Sequence, residues 1–497
     1  MIINYRILLP VLLFVVLAVH SATIGLSDDE AYYWVLAQNP GFGFAYHPPG
    51  VVWGIALFQK LFHWLLGSNL SLLARLPAIF FSAAILFLSF YWIDDVVGQK
   101  KNMAKPGLIL IAYAGVFASS WMIVPDLPLL FGWMIMFLAT WQIAVKRNAS
   151  PSWCFWLVVG TSISLLSKYS AVLAVFSSFI AIFLWGSKRE RSRGVAALLA
   201  GMVIAAVPII IWNATHNWAS ILYQIQGRHS GSSFSILRFF KFFGSQLLFA
   251  GPVLLFYSFT LIPRTFFKSS PDYQKFAGVW LFPPAIVFCI QPLFADFKPH
   301  WALVAWLPAA MAFAVQFHCS LSKWWVKAHV GYGFLLGSLG LIMCHLPLNA
   351  WFTQSLLKKN FDPRWDVTND MYGWEEVGKY FRGTDLPVIG SRYQTSSQLA
   401  FAISDVSKVS YIPRDEKQID EWPDLNVTEN QGPHWSRLLK SVYFVADNRY
   451  SAPPSFIGAS CRQLTRLEKR RSGYLAKWFD IWKCEPKKEG TTLIDQS

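Results

Sequence analysis

Long apolar runs, most of them roughly 17 to 25 residues, recur along the first 350 residues of this 497-residue chain. A run of that length crosses a hydrocarbon layer about 30 Å thick as a helix, and in lipid a helix satisfies its own backbone polar groups. Eleven are legible, near 7–26, 76–93, 107–124, 127–145, 152–166, 169–186, 195–213, 244–262, 276–294, 301–319 and 329–348. The short pair 152–166 and 169–186 reads as a hairpin with Ser167, Lys168 and Tyr169 at its tip. Residues 51–66, interrupted by Gln59, Lys60 and His63, read as an interfacial helix. A chain that is 54% hydrophobic and only 14% charged has too little polar surface for a soluble protein of this size. The expectation is an α-helical polytopic membrane protein.

The net charge of +15 does not mark a nucleic-acid partner. Its lysines and arginines sit in short clusters between apolar runs, not in a stripe with exposed aromatics. Lys100, Lys101 and Lys105 follow the second run, Lys146 and Arg147 the fourth, and Lys188, Arg189, Arg191 and Arg193 the sixth. Arg264, Lys268 and Lys275 follow the eighth, and Lys323 and Lys327 the tenth. Every cluster follows an even-numbered run, so a cytoplasmic N-terminus puts them all on the cytoplasmic side. The first run resembles a signal segment, with Arg6 ahead and Ser21 and Ala22 behind, but its length and the runs that follow favour an uncleaved helix.

The other loops are then external. They carry Ser27-Asp28-Asp29-Glu30, Tyr46-His47-Pro48-Pro49, Asp126, Lys168, Arg228-His229 and Asp296 to His300. Ionisable groups at membrane-helix ends are usually kept for function. The sequence thus divides into a membrane domain, 1–349, and a C-terminal domain, 350–497, which is charged and placed outside by eleven crossings. Within the latter, 385–413 reads as strand, helix, strand, while 441–447 and 475–484 read as strands. Arg462 to Ser472 reads as a basic helix or turn. Four of the six cysteines, Cys154, Cys289, Cys319 and Cys344, lie in or beside apolar segments, and no metal-ligand spacing occurs. Cys461 and Cys484 fall in the external domain and are expected to pair in an oxidising compartment.

Asp28-Asp29-Glu30-Ala31-Tyr32-Tyr33-Trp34 follows the first run, then Tyr46-His47-Pro48-Pro49 and Ala74-Arg75-Leu76-Pro77. Pro125-Asp126-Leu127-Pro128, Leu166-Ser167-Lys168-Tyr169, Trp212-Asn213-Ala214-Thr215-His216-Asn217-Trp218 and Lys298-Pro299-His300-Trp301 come later. This ordered series, over about residues 20 to 310, resembles the bacterial branch of the protein O-mannosyltransferase and lipid A aminoarabinose transferase superfamily. It is similar above all to the DEAYYW-type members that decorate lipopolysaccharide or other envelope glycans.

The resemblance implies a GT-C fold with a small periplasmic α/β domain in the bacterial inner membrane. It implies an inverting transfer from a polyprenyl-phosphate sugar to an envelope acceptor, lipid A, core oligosaccharide or another glycan. It also implies that the Asp of the Asp29-Glu30 pair is the catalytic base and Asp126 the second acid. Two departures stand out: His47 occupies the position of a lysine in the aminoarabinose enzymes, and Asp28 precedes Asp29, leaving open which of the two is the base.

The residues support this chemistry on their own terms. A carboxylate can take the proton of an attacking hydroxyl, an effect worth about 10²–10⁴-fold, and Asp29, Glu30 and Asp126 are the catalytic candidates, although Ser27 and the acids after it also suit a helix N-terminus. A departing lipid phosphate needs cations. Lys168, Arg228, His229, Lys298 and His300 are candidates, against a reading as interfacial anchors. Tyr46 and His47 are candidate substrate contacts. No cofactor or metal is expected. The rival reading is a flippase that moves lipid-linked sugar without making a bond; it calls for charges near the midplane, whereas these acids lie at the rim.

Overall fold

The computed structural model describes residues 4–98, 104–227, 233–411, 428–430, 436–451 and 453–487. Lys100 and Lys101 of the first basic cluster lie outside them. The chain divides into two compact units, one of residues 1–22 and 41–341 and one of 23–40 and 342–497. The acidic loop thus groups with the C-terminal residues and not with the helices that flank it in sequence.

Among the described residues, seven helices are long and apolar enough to cross a membrane: Tyr5–Ala22, Leu70–Val97, Asp126–Val145, Lys188–Thr215, Asp272–Phe294, Pro299–Phe317 and Trp324–His345. The four remaining apolar runs take other forms. Pro151–Ser167 and Tyr169–Trp185 make the expected hairpin, each too short for the same test. The run at 244–262 is not one straight helix: Ile236–Phe249 and Pro252–Phe266 meet at 111°. Gly251 takes φ +82° there, and Pro252, lacking an N–H, starts the second helix. The run at 107–124 is likewise broken, into Ala104–Ile111 and Ala114–Ser119. Between the pieces Tyr113 is buried and its hydroxyl donates to the Leu303 carbonyl at 2.8 Å. Residues 51–66 form the apolar helix Gly50–Leu66, with Leu57, Leu61, Trp64 and Leu65 exposed.

Small residues let these helices touch. A Cβ on Gly132 would come within 2.5 Å of Ser164 Oγ, and one on Gly160 within 2.8 Å of the Met136 nitrogen, the close approach expected where lipid supplies no hydrophobic drive between helices. Helix Asp126–Thr140 is buried along almost its whole length. Trp133 and Phe137 meet Trp280 edge-on, and Phe137 meets Phe276 in the same way. Helix Tyr5–Ala22 instead leaves Ile7, Val11, Leu12, Val15, Val16 and Val19 exposed, a surface suited to lipid.

The second unit holds a five-stranded mixed sheet. Its strand order is Val409–Tyr411, Val388–Gly390, Val442–Asp447, Tyr474–Pro486, Ala459–Arg471; the first three are parallel and the last two pairings antiparallel. Helix Tyr393–Ile403 links the adjacent parallel strands Val388–Gly390 and Val409–Tyr411, as the sequence suggested. Ile389, Leu438, Val442, Phe444, Ala446 and Cys484 form the core. Short strands Thr428–Asn430, Ser436–Leu438 and Phe456–Ile457 make a second sheet.

The expected helix or turn at Arg462–Ser472 is instead part of the long strand Ala459–Arg471, turning back at Ser472 and Gly473 into its partner. Arg462, Arg466, Glu468 and Arg470 are exposed along it, whereas Arg471 is buried, so most of the charge that suggested a helix is the outer side of a hairpin. Cys461 faces Cys484 across this hairpin, and the two form a disulfide, 23 residues apart in sequence with Cα atoms 4.1 Å apart. Denatured, unreduced protein should therefore label at Cys154, Cys289, Cys319 and Cys344 only; labelling of all six cysteines would refute the bridge. Cys461→Ala should lower the stability of this unit by about 3 kcal/mol, the chain-entropy value for such a loop.

Candidate active site

Two groups of sequence candidates assemble, one in each unit. In the first unit the organiser is Asp126. Pro125 leads into helix Asp126–Thr140, placing the carboxylate in its first turn, where the helix dipole favours a negative charge. Lys168 leaves the end of helix Pro151–Ser167 in extended conformation, and its Nζ donates to Asp126 Oδ1 at 2.7 Å. His300 Nε2 lies 4.0 Å from Asp126 Oδ2, and the Trp301 ring lies 5.8 Å from Lys168 Nζ. One carboxylate therefore gathers two of the expected phosphate-binding groups.

The surrounding motifs hold this arrangement. A Cβ on Gly50 would fall 2.6 Å from the Leu166 carbonyl, so Pro48-Pro49-Gly50 lets the start of helix Gly50–Leu66 press against the hairpin tip. That places His47 in a cleft lined also by Lys168, Tyr169, Gln224 and Trp301. Tyr46 sits at the same place: its carbonyl accepts from Gln224 Nε2 at 2.9 Å, and its ring meets Tyr223 at 4.9 Å. The Trp212–Trp218 motif is a reversing turn, with Asn217 and Trp218 at φ +52° and +58° and the His216 ring stacked on Trp212 at 4.2 Å. The turn delivers Ser220, whose hydroxyl bonds the Tyr169 hydroxyl at 2.7 Å.

Gln246, unremarked in the sequence, fixes the His300 segment: its Nε2 donates to the Pro299 carbonyl at 3.0 Å and its Oε1 accepts from Trp306 Nε1 at 2.9 Å. Lys298 caps the short helix Pro299–Ala302 and is exposed. Arg228 and His229 lie outside the described residues. Arg75 is fully buried, its guanidinium 4.6 Å from the Trp121 ring and Nη1 3.4 Å from the Ser21 carbonyl, a role in packing.

In the second unit the three adjoining acids separate. Glu30, wholly buried, closes a capping box: its Oε2 accepts from the Ser27 backbone N–H at 2.9 Å and from Ser27 Oγ at 3.0 Å. Asp28 is buried too; its Oδ1 accepts from Gln398 Nε2 at 3.1 Å, and its Oδ2 lies 3.4 Å from Arg449 Nη1. Asp29 alone is exposed. Helix Asp28–Leu36 packs on helix Tyr393–Ile403 through Tyr32 against Tyr393 and Trp34 against Phe401, both edge-on. Gln398 and Arg449, which meet Asp28, and Asp370, which shares Arg449 with it, carry no motif that could have announced them.

Burial, with the Asp370 carboxylate next in effect, pushes Asp28 up to about 7. Asp447 acts in the same direction, while Lys477 and the Gln398 hydrogen bond oppose it, and Arg449 pairs with the carboxylate. The folded-state value lies above the ordinary 3.8, so folding tightens the proton. The resulting stabilisation is complete below about pH 4 and is lost as pH rises through about 7. The second unit should accordingly lose melting temperature between pH 5 and pH 8, and Asp28→Asn should flatten that loss. An unchanged slope in the variant would show that Asp28 does not carry it.

Known proteins agree with this architecture. The family described as dolichyl-phosphate-mannose-protein mannosyltransferase matches residues 46–212. The lipid A galacturonosyltransferase RgtD of Rhizobium johnstonii is 27% identical over 340 residues, covering 67% of this chain and 68% of the relative. ArnT from Cupriavidus metallidurans, solved bound to undecaprenyl phosphate, superposes with a TM-score of 0.61 at 12% identity over 99% of both chains. Its apo state gives 0.61 at 11% identity over 96% of this chain and 97% of ArnT. The fold is therefore that of GT-C enzymes.

Proposed function

We propose that this chain, a multi-pass membrane glycosyltransferase of the GT-C fold, moves a sugar from a polyprenyl phosphate to a lipid A-type or other envelope glycan acceptor. The carrying observation is Lys168 held against Asp126 with His300 beside it, facing a cleft. Such a group can receive a phosphate, and a lipid A sugar transferase is among the relatives. In this reading Lys168 and His300 bind the donor phosphate, joined by Lys298, Arg228 and His229, and Asp126 keeps Lys168 and His300 in place. Tyr46 and His47 contact substrate. Asp29 is the base.

The acceptor oxygen attacks the anomeric carbon as Asp29 takes its proton. The bond from that carbon to the phosphate oxygen breaks, and the polyprenyl phosphate leaves with the electron pair, its charge met by the cations. Transfer in one displacement inverts the anomeric centre. The positive-inside pattern supports an inner-membrane location with the N-terminus cytoplasmic and the C-terminal unit periplasmic.

The test is purified protein in lipid nanodiscs with a polyprenyl-phosphate sugar and lipid A, read by mass spectrometry. A product heavier by one sugar residue is expected. Movement of the donor across vesicles without any product would replace this reading with the flippase.

A further inference from the structure

We propose that Arg449 is a positioning residue for sugar transfer, clamping the first turn of helix Asp28–Leu36 so that the Asp29 carboxylate is held in its working direction. The inference rests on the reading of Asp29 as base.

The clamp is built entirely within the second unit. Arg449 Nη1 lies 3.4 Å from Asp28 Oδ2 and also donates to the Asp370 carboxylate. Gln398 Nε2 ties the same place from below, donating to the Leu26 carbonyl at 2.9 Å, to Asp28 Oδ1 at 3.1 Å and to the Asp370 carbonyl at 3.3 Å. Arg449 is itself fixed from the end of strand Val442–Asp447. Asp447 Oδ1 accepts from the backbone N–H groups of Arg449 at 2.9 Å and Tyr450 at 3.1 Å. Asp447 Oδ2 accepts from Thr395 Oγ1 at 3.2 Å and lies 3.8 Å from the Nζ of Lys477, which is 1% exposed and sits over the Trp374 ring.

A buried ionic network of this size is a poor way to gain stability, because desolvating the charges offsets most of their attraction, and well-packed apolar residues often do as well. It is a good way to set register, since a guanidinium bridges two carboxylates only in one geometry. The residue it grips directly precedes Asp29. A displacement of about 1 Å at a reacting group can cost on the order of 100-fold in rate, so the grip on Asp28 bears on the neighbour's chemistry without touching substrate.

The test uses the full chain with Arg449→Met and Arg449→Lys, measuring sugar transfer, affinity for undecaprenyl phosphate and amide exchange over residues 28–36. Arg449→Met should slow transfer about 10- to 100-fold, speed exchange at 28–36, and leave undecaprenyl phosphate affinity within about 2-fold, because a positioning defect spares ground-state binding. Arg449→Lys should recover part of the rate. Wild-type transfer in Arg449→Met overturns the clamp, as does a parallel fall of transfer, affinity and melting temperature, which is what a purely structural pair would give. If the Met variant does not fold, a folded Arg449→Lys protein with unaltered rate overturns it and a slowed one supports it. Asp29→Asn separates the two ideas. If that variant retains transfer, the base reading fails; if it is inactive while Arg449→Met is unimpaired, only the clamp fails.

Discussion

Asp29→Asn should lower sugar transfer by about 10² to 10⁴-fold, the range a positioned general base supplies, with folding and undecaprenyl phosphate binding close to wild type. The side chain is exposed, and the buried work of its helix is done by its neighbours: Glu30 closes the capping box and Asp28 meets Gln398 and Arg449. An amide of the same shape keeps the helix and loses the charge and the capacity to take a proton. Full turnover in the purified variant would sink the assignment. Asp28→Asn should differ in kind, altering the pH dependence of stability and, through the loosened Arg449 contact, slowing transfer no more than Arg449→Met does, so the larger loss within the pair of variants identifies the base.

Lys168→Ala should weaken undecaprenyl phosphate binding by about 10- to 100-fold, the equivalent of one charged hydrogen bond at roughly 1.5–3 kcal/mol. The substitution also strands Asp126 in a largely buried position, and breaking such a pair costs stability. The two effects separate in the double variant Lys168→Ala with Asp126→Asn. Removing the stranded charge should restore the melting temperature and leave donor affinity low. Affinity that is unchanged in the single variant would reduce Lys168 to the structural partner of Asp126.

Much of the fold was legible because lipid imposes a simple demand: each crossing is one apolar run, and the runs were there to count. What the count missed was local backbone chemistry. Gly251-Pro252 bends one run through 111°, a signal present in the letters but outweighed by the hydropathy on either side. Charges that dominate the composition of Arg462–Ser472 suggest a helix or turn, whereas most of them occupy exposed positions of the strand Ala459–Arg471. At the site, Ser27 and Glu30 stand at capping-box spacing, and the helix N-terminus that the sequence suits there is the one the structure has. The convergence of Lys168 and His300 on Asp126 could be anticipated only as shared membrane face, since the three come from different helices. Asp370 and Arg449 were out of reach: no periodicity relates them to Asp28.

That separation has a consequence for how the protein is made. Gln398 is 370 residues beyond Asp28 and Arg449 is 421 residues beyond it. At roughly 5–20 residues per second of synthesis, the acidic loop emerges tens of seconds before its partners exist. Through that interval Asp28 has neither Gln398 nor Arg449 to meet it, and the second unit cannot close until most of the membrane helices have been laid down. Biogenesis therefore orders the assembly of the two units: the segment that bears the proposed base is among the first made and among the last to reach its final form, so a nascent chain stopped short of residue 449 cannot complete it.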